Sequence, residues 1–298
     1  MRSFAVHCRP FSLYTKGTNT MNIGIRLHDT APGSLPERLG FARKQGFSCV
    51  HLALSKTIPG FSMDDAPALL NAALADELKA AFRAQGLECA VLGCYLKLAT
   101  TDAEALEHTR DIYRAHLRVA RMMGAGVVGT ETPLAPGTSL EADSPEALAL
   151  FLRCVEPLVR CAEEEGAILA IEPVACHIVN TPRRMEQLLE AVKSDHMRVI
   201  LDAVNLLTRD NYLQADTIVE EAIRRFGDRV SVLHMKDFTV DPDAYMTRAC
   251  ACCTGLMRYG RLLAFARAKG LPMTLENTAP DNAEAARLLL EKQAEGLT

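Results

Sequence analysis

The chain has 298 residues, 49% of them hydrophobic and 23% charged, with a formal net charge of −4 at pH 7. That balance fits a soluble, well-packed enzyme and argues against nucleic acid or an acidic membrane as partner, since both favour a basic face. No apolar run approaches the roughly 18 residues that mark a membrane-spanning helix, and the expected localisation is cytoplasmic. The ten cysteines are scattered, several of them in apolar segments, as at Cys49, Cys89, Cys154 and Cys161. They read as buried free thiols of a reducing compartment, and Cys250, Cys252 and Cys253 as loop thiols rather than a zinc site.

Residues 1–20 end in TKGTNT, show neither strand nor helix period and lack an apolar signal-peptide core. They are expected to form a poorly ordered N-terminal extension, with Met21 a candidate start and residues 21–298 a single domain. From there strand-like and helix-like stretches alternate. NIGIRL is the first strand, and Ser34 with Glu37 three residues on is a capping box for a helix over residues 35–45, which Gly46 ends. SCVHLAL is the second strand; the loop LSKTIPGFSM precedes a helix expected over residues 65–85, closed by Gly86. LECAVLGC is the third, and Thr101 with Glu104 opens a helix running to Met123. GVVGT is the fourth, with Glu131 at its end, and Ser144, Pro145 and Glu146 start a helix that stops near Gly166.

The fifth strand, AILAIEP, delivers Glu172, and Thr181 with Pro182 starts the next helix. RVILDAVN is the sixth, an apolar, largely β-branched run that ends in Asp202 and Asn205; a helix over residues 215–226 follows. VSVLHMKD, the seventh, carries His234, and about twenty residues (238–257) then lack any clear period, a loop length that in a compact domain goes with function or mobility. A helix over residues 258–269, the strand LPMTLEN ending on Glu276 and a helix from residue 281 complete the pattern. Eight strand-then-helix units predict an α/β fold, a closed (β/α)8 TIM barrel in one domain, for which about 250 residues is typical.

In such a barrel the C-terminal ends of all strands meet on one face. Glu172, Asp202, His234 and Glu276 then converge and make a four-ligand site for a divalent metal; carboxylates with one imidazole favour Mn²⁺, Mg²⁺ or Co²⁺, with Zn²⁺ also open. The competing explanation, that each acid merely caps a helix or pairs with a base, is even odds for one residue and weaker for four together. A metal flanked by two glutamates suits proton transfer beside a carbonyl, one carboxylate removing the proton and the other returning it, with the metal stabilising the enediolate. Glu172 and Glu276 are the candidate acid/base pair. Candidate substrate-binding residues are His177, Asn205, Lys236 and Glu131, each with a bland alternative: a surface histidine, a helix cap, a Lys236–Asp237 pair, a supporting acceptor. His51 reads equally as a core or a functional histidine, and His28 and Asp29 are weaker candidates.

Glu172 in IEPV, Asp202 in LDAVN, His234 in LHMKD and Glu276 in LEN resemble the metal tetrad of the xylose isomerase-like sugar (phosphate) isomerase/epimerase superfamily, also called the AP endonuclease 2 family. The resemblance runs from about Met21 to the C-terminus. It implies a TIM barrel, a divalent metal, most often manganese, magnesium, cobalt or zinc, and glutamates that act as both ligands and acid/base groups. Members are often dimers or tetramers, so a homo-oligomer is an open expectation. Two departures stand out. Ketose 3-epimerases carry histidine where this chain has Asn205, and the trizinc nuclease branch also needs histidines that Asn205, Cys94 and Tyr95 do not supply, which argues against a DNA-repair nuclease. The expected activity is therefore a metal-dependent isomerase or epimerase of a small sugar, ketone or sugar phosphate; the alternative is a dehydratase of the inosose or dehydroshikimate type, and a metal-free binding protein is a third reading.

Overall fold

The computed structural model describes residues 21–297, so the expected extension over residues 1–20 lies outside the described residues. Eight parallel strands close into a barrel. The first, β1 (Ile23–Arg26), leads through a 3-10 turn to helix α1 (Leu35–Lys44), whose start is held as the sequence suggests: Glu37 accepts from the Ser34 backbone N–H at 2.8 Å and hydroxyl at 2.7 Å. Next come β2 (Cys49–Leu52), a short helix α2 (Leu54–Thr57), then α3 (Ala66–Leu69) and α4 (Ala72–Gln85). The helix expected over residues 65–85 is thus two helices. Asn71 explains the break: in extended backbone its side chain accepts from the Leu74 N–H and starts α4 as an N-cap.

Strand β3 (Glu88–Gly93) is followed by α5 (Ala103–Met123), β4 (Val127–Thr130) and α6 (Pro145–Glu165). Asp102, not Thr101, caps α5, accepting from the N–H groups of Glu104 and Ala105. Strand β5 (Leu169–Ile171), α7 (Pro182–Val192), β6 (Met197–Asp202), α8 (Ala215–Phe226) and β7 (Val230–Met235) continue the alternation. The aperiodic stretch after β7 holds more order than its sequence suggests. Strands β8 (Asp237–Thr239) and β9 (Arg248–Cys250) pair antiparallel, pairing Asp237 with Cys250. Helix α9 (Gly260–Lys269), strand β10 (Met273–Leu275) and α10 (Ala283–Glu295) end the described chain.

The barrel closes in the order β1-β10-β7-β6-β5-β4-β3-β2, with β1 hydrogen-bonded to both β2 and β10. Closure is tight at Gly24: a Cβ there would lie 2.3 Å from the Cys49 carbonyl oxygen, so the first strand needs a residue without a side chain. An apolar cluster of strand residues, including Val91, Val127, Ala170, Ile200 and Val232, is separate from the larger core that includes the buried faces of the helices. Cys49, Cys89 and Cys154 are buried as expected, whereas Cys161 is half-buried, and the cysteines described are all free. Among the described residues no helix is long and apolar enough to cross a membrane.

Candidate active site

The parallel ladder determines where each candidate side chain stands. Asp202, the last residue of β6, lies in register with His234 of β7, and His234 lies in register with Thr274 of β10. Glu172 and Glu276 sit one residue past β5 and β10, where their N–H groups still donate to Thr130 at 2.8 Å and Met235 at 2.9 Å. Four ionisable groups are thereby drawn out of water at one end of the barrel: exposure is 2% at Glu172, 0% at Asp202, 1% at His234 and 6% at Glu276. Charges so deeply withdrawn require partners.

The partners are partly each other. His234 Nδ1 lies 3.2 Å from Glu172 Oε2 and 3.3 Å from Glu276 Oε1. Neither contact has hydrogen-bond geometry, and both ring nitrogens of His234 are buried without a hydrogen-bond partner. Potential ligand atoms gather in two overlapping groups that share His234: Glu172, Asp202 and His234 form one, His51, His234 and Glu276 the other, each within 4.8 Å. The expected four residues come together, then, with His51 as a fifth. His51 stacks on His234 at 5.1 Å and 10° between ring planes, and its Nδ1 is 3.6 Å from Glu276 Oε1. Gly93 makes room for this stack, because a Cβ there would lie 2.7 Å from His51 Nε2. Orphaned imidazole nitrogens beside buried carboxylate oxygens are a donor set that fits a divalent cation.

One basic residue stands among these acids. The Lys236 ammonium is 2.9 Å from Asp202 Oδ2 and 3.6 Å from Glu276 Oε2, and donates to Asn205 Oδ1 at 2.7 Å. Burial would lower its pKa, but Asp202, Glu276 and Glu172 raise it. The alternative in which Lys236 pairs with Asp237 does not hold: Asp237 Oδ1 instead accepts from the N–H groups of Phe238 and Met257, both at 2.8 Å, and fastens the segment after β7. Asn205 caps no helix. Its amide group donates to Glu172 Oε1 at 2.7 Å, so one side chain bridges Lys236 and Glu172. Asp202 does bear out both parts of its bland explanation: its Oδ2 pairs with Lys236, and its Oδ1 accepts from the N–H groups of Val204 at 2.9 Å and Asn205 at 3.2 Å, at the start of a 3-10 turn.

These surroundings set the titration of the site. Burial pushes the Asp202 carboxyl up to about 6 despite Lys236. Burial acts the same way on Glu276 but is overcome by His234, His51, Lys236 and Arg26, which hold it well below the usual carboxylate range. Burial disfavours charge on His234, yet Glu172 and Glu276 lift it to about 9 in the protein alone.

A cavity of about 450 Å³ opens above these groups, with Glu131, Asn205 and Lys236 in its wall beside the two glutamates. Glu131, half-buried, is pushed up to about 8 by burial and by Glu172. His177 stands behind it, Nδ1 3.6 Å from Glu131 Oε2, and does not line the cavity. Two further wall residues touch the glutamates without having been expected to do so. Arg26 ends β1 and reaches Glu276 Oε2 at 3.6 Å; Tyr95, just past β3, donates its hydroxyl to Glu172 Oε2 at 3.2 Å. Arg26 does carry a signal, being a charged residue that ends an apolar strand as Glu172 and Glu276 do. Tyr95 carries only the positional signal of the family resemblance, since nothing local distinguishes it from a core aromatic.

Comparison with known proteins adds the following. A family profile described as xylose isomerase-like TIM barrel matches residues 39–293. No curated protein sequence matches the chain. Among solved structures, 3-keto-D-glucoside 4-epimerase YcjR from E. coli is 17% identical with a TM-score of 0.68, covering 93% of this chain and 100% of that one. The probable 3-DHS dehydratase AsbF from Bacillus anthracis is 13% identical with a TM-score of 0.70, covering 91% and 98%. The IOLI protein, solved with a bound zinc atom, is 15% identical with a TM-score of 0.68, covering 93% and 96%. At these identities the structural likeness establishes the fold alone.

Proposed function

The chain belongs to the xylose isomerase-like TIM barrel family, and on that premise we propose that it is a cytoplasmic, metal-dependent isomerase or epimerase that moves a proton beside the carbonyl of a small sugar-like substrate. The observation that carries this reading is the approach of two buried glutamates from separate strands, β5 and β10, to one nitrogen of His234. The ligands are Glu172, Asp202, His234 and Glu276, and the metal best suited to three carboxylates and one imidazole is Mn²⁺, with Mg²⁺, Co²⁺ and Zn²⁺ as competitors. When bound, such an ion polarises carbonyl and hydroxyl oxygens and lowers the cost of negative charge on them.

The protein's own groups do the rest. Glu172, held by the neutral donors Asn205 and Tyr95, takes the proton from carbon. Glu276, once it has taken up a proton from a substrate hydroxyl or from solvent, returns one to the neighbouring carbon in an isomerisation or to the opposite face of the same carbon in an epimerisation. Lys236, buried in the cavity wall, places a fixed positive charge where oxygen becomes negative. Asn205 ties Lys236 to Glu172, so that the base and this charge keep one relative position.

Glu131 favours a second reading. Its carboxyl, pushed up to about 8, is protonated near neutral pH and faces the same cavity. An acid placed there could protonate a departing hydroxyl, the step that turns proton abstraction into dehydration. Proton NMR in heavy water, with Mn²⁺ added and ketoses, hydroxypyruvate and inososes as substrates, tests both. Isomerisation or epimerisation is expected to place solvent deuterium on carbon with no loss of water. A dehydrated product selects the second reading, and no exchange on any substrate with a metal-loaded protein rejects both.

A further inference from the structure

Among the described residues three histidines are buried, His51, His116 and His234, and their ring nitrogens are placed differently. His116, in the middle of α5, bonds the Ile112 carbonyl through Nδ1 at 2.8 Å, a common arrangement for a core histidine. His51 has no such bond. It is 3% exposed, and both of its ring nitrogens are buried without a hydrogen-bond partner. His234, an expected metal ligand, is the other histidine in that condition among the described residues.

The fold aims His51 at the site. Along β2, Cys49 belongs to the strand cluster inside the barrel and Val50 to the larger core beneath the helices, so alternation turns His51 inward. The ladder is irregular at this residue: Val50 pairs with Cys89 but His51 with Val91, so one residue of β3 is passed over, and such irregularities re-aim side chains beside active sites. His51 Nδ1 then stands 3.6 Å from Glu276 Oε1, while His234 Nδ1 stands 3.3 Å from the same oxygen and 3.2 Å from Glu172 Oε2. Donors bound to one ion at about 2.1 Å each lie roughly 3.0 Å apart when adjacent in an octahedron and roughly 3.4 Å apart in a tetrahedron. The three spacings lie close to that range, and hydrogen bonds account for none of them.

We propose that His51 is a fifth protein ligand to the divalent metal, through Nδ1. The inference rests on the proposed metal-dependent function and adds a residue of β2 to its ligand set. Asp202 is heavily committed elsewhere, its Oδ1 taking two backbone N–H groups and its Oδ2 the Lys236 ammonium, whereas His51 Nδ1 is uncommitted. The metal preference changes with it. A second imidazole beside the carboxylates moves the donor set away from Mn²⁺ and Mg²⁺, which suit oxygen ligands, towards Zn²⁺ or Co²⁺. With five protein donors, a six-coordinate ion keeps one position for a substrate oxygen.

Co²⁺ alone, added to the full-length protein after chelation, provides the count of imidazole ligands. A histidine bound to high-spin Co²⁺ shows its remaining ring N–H as a strongly shifted proton NMR signal that disappears in heavy water. Two such signals are expected in the wild type and one in H51Q, or in H51N if glutamine does not fit beside His234. A single signal in the wild type, or two that persist in the variant, overturns the proposal and leaves the four-ligand site standing; no shifted signal at all overturns both. Zn²⁺ affinity, measured by competition with a chelator, is expected to fall about tenfold or more in H51Q and Mn²⁺ affinity by less, and equal losses overturn the change of metal preference. Because ligands are counted without turnover, the proton-transfer reading can fail in the exchange assay while this result stands, and the reverse.

Discussion

Glu172 and Glu276 both reach Nδ1 of His234 and are both nearly closed to solvent, yet their surroundings differ. Glu172 is held by an amide and a phenol, Asn205 and Tyr95, which fix its direction without adding charge. Glu276 is ringed by Arg26, Lys236 and His51, which stabilise its ionised form. Two identical side chains at equivalent strand ends thus meet different neighbours, Glu172 two neutral donors and Glu276 basic groups that hold its carboxyl well below the usual carboxylate range. Burial alone would have treated them alike.

The comparison is broken most severely at the glutamates themselves. E172Q and E276Q are each expected to lower deuterium incorporation about a thousandfold, the scale of a lost general acid or base, as measured by proton NMR; full activity in both variants would sink the two-glutamate mechanism. Next in size is K236M. It leaves Asp202 buried without its ammonium partner, and the cost of breaking a buried pair is about 3 kcal/mol, read from urea unfolding in the presence of chelator. No loss of stability would show that Asp202 does not depend on Lys236.

Smaller effects sharpen the contrast. Y95F removes one donor from Glu172 and nothing from Glu276, and kcat should fall about tenfold with KM little changed, as for one hydrogen bond to a charged group. An unchanged kcat would mean that Asn205 alone orients Glu172. The last prediction concerns pH. Glu276 is held below its ordinary value, so its ionised form favours the folded state at pH above about 4.3, and this contribution is lost as the pH falls through the folded-state value. In chelator, the stability advantage of wild type over E276Q should therefore be present at pH 6 and shrink below about pH 4. A constant difference across that range contradicts the ring of cations around Glu276.

Much of this was legible in the sequence. Apolar runs of strand length alternating with helical stretches, several of them opened by a cap residue, marked the barrel, and an acid or imidazole in IEP, ILD, LHM and LEN marked its mouth. Both are local signals, because a strand's burial and a helix's cap are decided by residues a few positions apart. Residues 65–85 misled for the same reason: apolar periodicity continued through residues 70 and 71, while the N-cap geometry of Asn71 decided the break. The hairpin of β8 and β9 was hidden because its short strands pair with each other and show no long apolar run.

Composition and period by themselves determined the class of fold, the face on which the chemistry gathers and the residue types that gather there. Barrel closure decided which residues became neighbours. By pairing β1 with β10 it set Arg26 against Glu276 across nearly the whole chain, laid His51 on His234, and put Tyr95 and Asn205 on the two oxygens of Glu172. Such contacts depend on strand order and register, which no stretch of the sequence encodes alone, and they are the contacts that make two glutamates unlike.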